Sequence, residues 1–133
     1  MKAITRVLIA MVASIAALFV STGTSNAGLD NELSVVDGQG RTLTVQGTFQ
    51  GLSSAVTVAH IHGPADENSN APVLLPLVVD QVTNGARSGR ISGSFTLSEQ
   101  QITWLNNRQL YVNVHSETYP NGEIRGQIER LVQ

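Results

Sequence analysis

The chain contains no cysteine. Disulfide bracing is therefore excluded, and so is a lipid anchor on an N-terminal cysteine. Lysine is absent after Lys2, and the arginines are scattered singly. No basic cluster exists to meet a phosphate backbone, so nucleic acid is excluded as a partner. No Arg-Arg pair precedes the N-terminal apolar run, so twin-arginine export is not indicated. No second apolar stretch follows, and no membrane span is expected after that run.

The N-terminus has a three-part layout. Lys2 and Arg6 supply positive charge, residues 7–20 are almost wholly apolar, and residues 21–27 are small and polar, ending Ser25-Asn26-Ala27. This is the pattern of a secretory signal peptide. Its apolar stretch is shorter than the ~20 residues a spanning helix needs. The expectation is cleavage after Ala27, with 28–133 as one exported domain, periplasmic or secreted. That domain carries six arginines against all ten acidic residues, an excess of four negative charges. A mildly acidic surface favours cations or cationic partners and also keeps a protein soluble.

The remainder is rich in Val, Thr, Ile and Gly, with turn signals at sandwich or barrel spacing. Strands are predicted at 33–36, 41–49, 55–62, 73–79, 89–97, 109–116 and 123–131. Residues 41–49 and 89–97 alternate apolar with polar, as half-buried strands do. Asp37-Gly38-Gln39-Gly40 and Pro120-Asn121-Gly122 read as turns. Pro76 lacks an amide hydrogen, which predicts a sheet edge or a bulge for its strand. One helix is predicted near 98–106, opened by a capping box of Ser98 and Gln101. The fold class is all-β: an immunoglobulin-like or Greek-key antiparallel β-sandwich with that one short helix.

Two blocks carry a family resemblance. Ala59-His60-Ile61-His62-Gly63-Pro64-Ala65 is the first. The second is Leu110-Tyr111-Val112-Asn113-Val114-His115-Ser116 with Tyr119-Pro120-Asn121-Gly122-Glu123-Ile124-Arg125-Gly126-Gln127. They resemble the signature blocks of CHRD domains, and the likeness extends over about 33–131. It implies an immunoglobulin-like all-β fold and an exported module, and implies no defined activity.

All three histidines lie in these blocks. His60 and His62 are two apart on a strand and share a face. If the strand of His115 lies nearby, three imidazoles converge, a donor set suited to Cu, Zn or Ni. A weaker resemblance points to copper-zinc superoxide dismutases, which also pair a His-x-His strand with a later His. The bridging His, the zinc-loop histidines and the disulfide of those enzymes are missing here. Bracing of loop carbonyls is the alternative role for the rings. Asn113, Glu123 and Arg125 fall in a polar row across the last hairpin, a candidate recognition surface, or one in which Glu123 orients His115. The alternative for that row is a Glu–Arg pair holding register.

No Gly-x-Ser-x-Gly elbow occurs, and the Asp66–Asn70 stretch lacks EF-hand spacing. The expected function is a non-enzymatic binding module with copper as candidate cofactor and no catalytic residue. A metal-free structural or adhesive module meeting an envelope protein or glycan is the second reading, and a copper-dependent dismutase-like enzyme the third.

Overall fold

The computed structural model describes residues 3–11, 28–36, 41–80 and 83–131. Residues 12–27 of the expected signal peptide, which end at the expected cleavage site after Ala27, and the turn at 37–40 lie outside the described residues. Among the described residues the strands are β1 (Ala3–Met11), β2 (Gly28–Val36), β3 (Thr42–Gln50), β4 (Val56–His62), β5 (Val73–Asp80), β6 (Gly89–Thr96), β7 (Tyr111–Ser116) and β8 (Ile124–Leu131), with one helix, α1 (Glu99–Asn106).

The strand order is β1-β2-β3-β6-β5-β4-β7-β8, closed into a barrel. Neighbours from β2 round to β8 pair antiparallel. β1 runs parallel to β8 and to β2 and completes the ring. It falls within the segment expected to be a signal peptide. β4, β5 and β6 follow one another by hairpins, and β7 returns beside β4, the Greek-key order. The all-β class with a single short helix thus holds; the strands form one continuous order where two sheets were expected.

Alternation decides which residues enter the barrel. Leu43, Val45 and Phe49 of β3 are buried, with Ile91 of β6 and Leu77 of β5. Ala59 and Ile61 of β4, Val112 and Val114 of β7, and Ile124 and Ile128 of β8 complete the interior. Each large apolar side chain there contributes about 1.5–3 kcal/mol on burial. The intervening residues of β3, Thr44, Gln46 and Thr48, face outward and are half-buried or exposed.

β5 is not an edge strand, but its pairing with β4 shifts register between Ile61 and His62, opposite Leu75 and Val73, as the bulge alternative expected. It lies between β4 and β6, yet pairs with β6 only from Val78 to Asp80. Pro76 pairs with His60 of β4, on a stretch with no β6 partner. No hydrogen bond to β6 is therefore asked of it there. α1 begins as predicted: Ser98 accepts from the Gln101 amide, and the Gln101 side chain accepts from the Ser98 amide. Leu105 is its buried residue, with Ile102 and Trp104 packed against the core.

Among the strands whose burial is described, β3 to β6 are two-faced, whereas β7 and the 124–128 stretch of β8 are not. Every residue of β7 is buried, although its side chains alternate in and out. The outward ones, Tyr111, Asn113 and His115, are covered by the 63–72 segment and the 117–122 turn. Register sets Tyr111 opposite Gln127 and Asn113 opposite Arg125. This makes a second, polar layer outside the apolar interior.

Candidate metal centre

Hydrogen bonds to backbone carbonyls tie that layer together. Arg125, 1% exposed, donates from Nη1 to the Ser69 carbonyl at 2.7 Å and to Asn70 Oδ1 at 3.3 Å. Its Nη2 donates to the Asp66 carbonyl and to Gln127 Oε1. Gln127 Nε2 in turn donates to the Ala65 and Arg108 carbonyls. The 63–72 segment, poor in apolar residues, is held down by these donors. Tyr111 binds it too: its hydroxyl accepts from the Ala71 amide at 3.0 Å and lies 3.2 Å from the Ala71 carbonyl.

At the margin of this layer the three histidines meet. β4 places His60 and His62 on one face; β7 pairs antiparallel with β4, setting Asn113 opposite His60 and Tyr111 opposite His62. One ring nitrogen from each of His60, His62 and His115 lies within 4.8 Å of the others. The ring centroids are 5.1 Å apart for His60 and His115, and 5.8 Å for each pair involving His62. His62 and His115 are buried, and His60 is half-exposed. The strand separation expected to keep the trio apart or join it therefore joins it.

The second nitrogen of two rings is already committed. His62 Nδ1 donates to the Ala71 carbonyl at 2.9 Å, and His115 Nδ1 to the Pro120 carbonyl at 2.8 Å. In the neutral rings these bonds fix the tautomer and leave Nε2 as a bare lone pair. His115 Nε2 lies 3.3 Å from His60 Nδ1. His62 Nε2 is buried and has no hydrogen-bond partner. A buried acceptor without a partner is costly, at about 1–3 kcal/mol. An ion accepting that lone pair removes the deficit. Two nitrogens bonded to one ion at 2.0–2.1 Å in a tetrahedral arrangement stand about 3.3 Å apart. The spacing of His60 and His115 fits that edge, and the trio leaves a further coordination position.

The surroundings of His60 and His62 disfavour their protonation. Burial pushes His60 below its ordinary value, and repulsion from His115 and His62 adds to this. Burial also pushes His62 down; its bond to Ala71 works the other way, while His115 and Arg125 reinforce the lowering. Burial lowers Arg125 as well, against the opposing effects of Tyr111, Asp66 and Glu67.

The other predicted residues take different parts. Glu123, fully buried, accepts from the Ser53 amide at 2.8 Å, from Ser53 Oγ at 3.1 Å and from Ser116 Oγ. It anchors the 51–55 loop to the last hairpin, and the Pro120 carbonyl takes the part of orienting His115 that Glu123 was expected to play. Arg125 binds the 63–72 segment rather than forming the expected cross-strand pair with Glu123. Asn113 donates to the Asn121 carbonyl at 3.3 Å, beneath Gly122. Ala71 and Pro120 were missed by sequence reasoning because a carbonyl carries no side-chain signature. Tyr111 was visible in the alternating row, but its stack against His62, 5.1 Å between centroids and 17° between planes, was not.

Comparison with known proteins gives short and long matches. The porin MspA of Mycolicibacterium smegmatis is 87% identical over 46 residues, covering 35% of this chain and 22% of the porin. MspC and MspB of the same organism are 74% and 62% identical over 50 residues, each covering 35% of this chain and 23% of the porin. The chain thus spans less than a quarter of the length of these relatives. No solved structure matches. The profile of the CHRD domain matches residues 19–128, most of the chain and both histidine blocks, and the protein belongs to the CHRD domain family.

Proposed function

We propose that this protein is an exported, non-enzymatic CHRD module that holds one transition-metal ion on His60, His62 and His115, with copper the favoured ion. The observation that carries the reading is the buried, partnerless Nε2 of His62, facing two other imidazole nitrogens. Imidazole donors suit Cu, Zn and Ni, and divalent affinities peak at copper. The signal-like layout of residues 1–27 supports export; cleavage after Ala27 would remove β1 and leave the antiparallel order from β2 round to β8. Purified protein should bind about one equivalent of Cu(II) by calorimetric titration, and His60→Ala combined with His62→Ala should abolish binding. Superimposable titrations for the wild type and the double variant would remove the metal.

A metal-free structural module is the second reading, favoured by the bonds from His62 to Ala71 and from His115 to Pro120, which brace two loops without any ion. It requires an unchanged melting temperature after chelation and no metal in untagged protein. The porin matches bring no pore-forming reading. A membrane barrel turns apolar side chains outward and polar ones inward, whereas Leu43, Val45, Ile61 and Val112 here fill the interior.

A further inference from the structure

The metal reading leaves open which charge state of the ion the site prefers, and the residues behind His62 bear on it. The guanidinium of Arg125 lies 3.4 Å over the centroid of the Tyr111 ring. The Tyr111 ring stacks on His62 at 5.1 Å. Arg125, Tyr111 and His62 therefore form a column on neighbouring strands β8, β7 and β4, with a cation at one end and a ligand ring at the other. We infer that Arg125 is a specificity-determining residue, which biases the site toward monovalent Cu(I) over divalent Cu(II).

This rests on the three-histidine site being a copper site, and the argument is electrostatic. The donors are three imidazoles with no carboxylate among them, so an ion keeps its full formal charge. Arg125 is buried, and its hydrogen bonds go to uncharged oxygens of Ser69, Asp66, Asn70 and Gln127. The carboxylates of Asp66 and Glu67 stand in exposed positions, where water and salt weaken their compensation. Glu123, the buried carboxylate of the layer, is engaged by Ser53 and Ser116. A dication meets twice the repulsion that a monocation meets. The two steps of the column put the charge within about 9 Å of the His62 ring and within about 12 Å of an ion on its Nε2, where a unit difference in ion charge at an effective dielectric constant near 20 is worth roughly tenfold in relative affinity.

The test compares Cu(I) affinity, measured anaerobically against a Cu(I)-specific chromophoric chelator, with Cu(II) affinity, measured against a competing amino-acid chelator. Arg125→Met should raise the Cu(II) to Cu(I) affinity ratio about tenfold, and Arg125→Lys should keep it near the wild-type value. Asn70→Asp gives an independent arm that leaves Arg125 in place. Asn70 is exposed and its Oδ1 already accepts from Arg125, so the isosteric carboxylate offsets the cation without touching the core. It should raise the same ratio about threefold, less than the deletion because it is solvent-screened. An unchanged ratio in folded Arg125→Met, or in Asn70→Asp should the methionine variant not fold, would overturn the role of Arg125 while leaving the copper site standing. Wild-type protein that binds neither ion would overturn both.

Discussion

His62 joins three features of the candidate site. One nitrogen donates to Ala71, one face stacks on Tyr111, and the other nitrogen is the buried lone pair offered to an ion. The metal-free protein should show this in its pH dependence. The unfolded chain takes up protons on His60 and His62 near the ordinary value of 6.5, whereas the folded chain resists until lower pH. Proton uptake by the unfolded state alone opposes folding, so stability is complete above about 6.5 and declines as the pH falls below it. Denaturant titrations at a series of pH values on metal-free protein check this; flat stability between pH 7 and 5 would contradict it. Tyr111→Phe keeps the ring stack but removes the hydroxyl that holds Ala71. The expected cost is about 1–3 kcal/mol in stability, for the stranded Ala71 amide, with about a tenfold loss of Cu(II) affinity as the His62 carbonyl partner loosens. Chemical denaturation and competitive titration of the same sample separate the two effects.

The β7–β8 hairpin matters most among the elements, because it carries Tyr111, His115 and Arg125 and lends Pro120 to orient His115. Its turn depends on Gly122, which has φ 117°. A Cβ at that position would approach Asn113 Oδ1 to 2.2 Å. Gly122→Ala should therefore destabilise the fold by about 1–3 kcal/mol, from the left-handed backbone and the displaced Asn113 together; denaturant unfolding is the check. The Asn-Gly pair made this turn legible in the sequence, as Ser98 and Gln101 did the start of α1, because both signals are local backbone chemistry. Pro76 was half legible. The lost donor was read correctly, but the place where it does no harm is inside the sheet, where β5 has outrun its pairing with β6, and register over such distances has no local signature.

On the scale of the whole molecule, strict alternation made the apolar interior readable: Leu43, Val45 and Phe49 face in because a strand repeats every second residue. The second, polar layer was not readable. Tyr111, Asn113, Glu123, Arg125 and Gln127 look like an exposed row in the sequence, yet all are buried. The 63–72 segment, recruited through its carbonyls, covers Tyr111, Arg125 and Gln127, while the 51–55 loop meets Glu123 and the 117–122 turn meets Asn113; nothing in their composition advertises burial. The convergence of the histidines was legible as two marked strands, but their adjacency came from the Greek-key return of β7 to β4. The central claim is that this return brings three imidazoles onto a single ion. X-ray absorption of the Cu(II)-loaded protein, compared with His62→Ala, tests it most directly. The account expects imidazole scattering from three nitrogens at about 2.0 Å, reduced to two in the variant. A spectrum with fewer than three imidazoles, or one indifferent to the loss of His62, would contradict it.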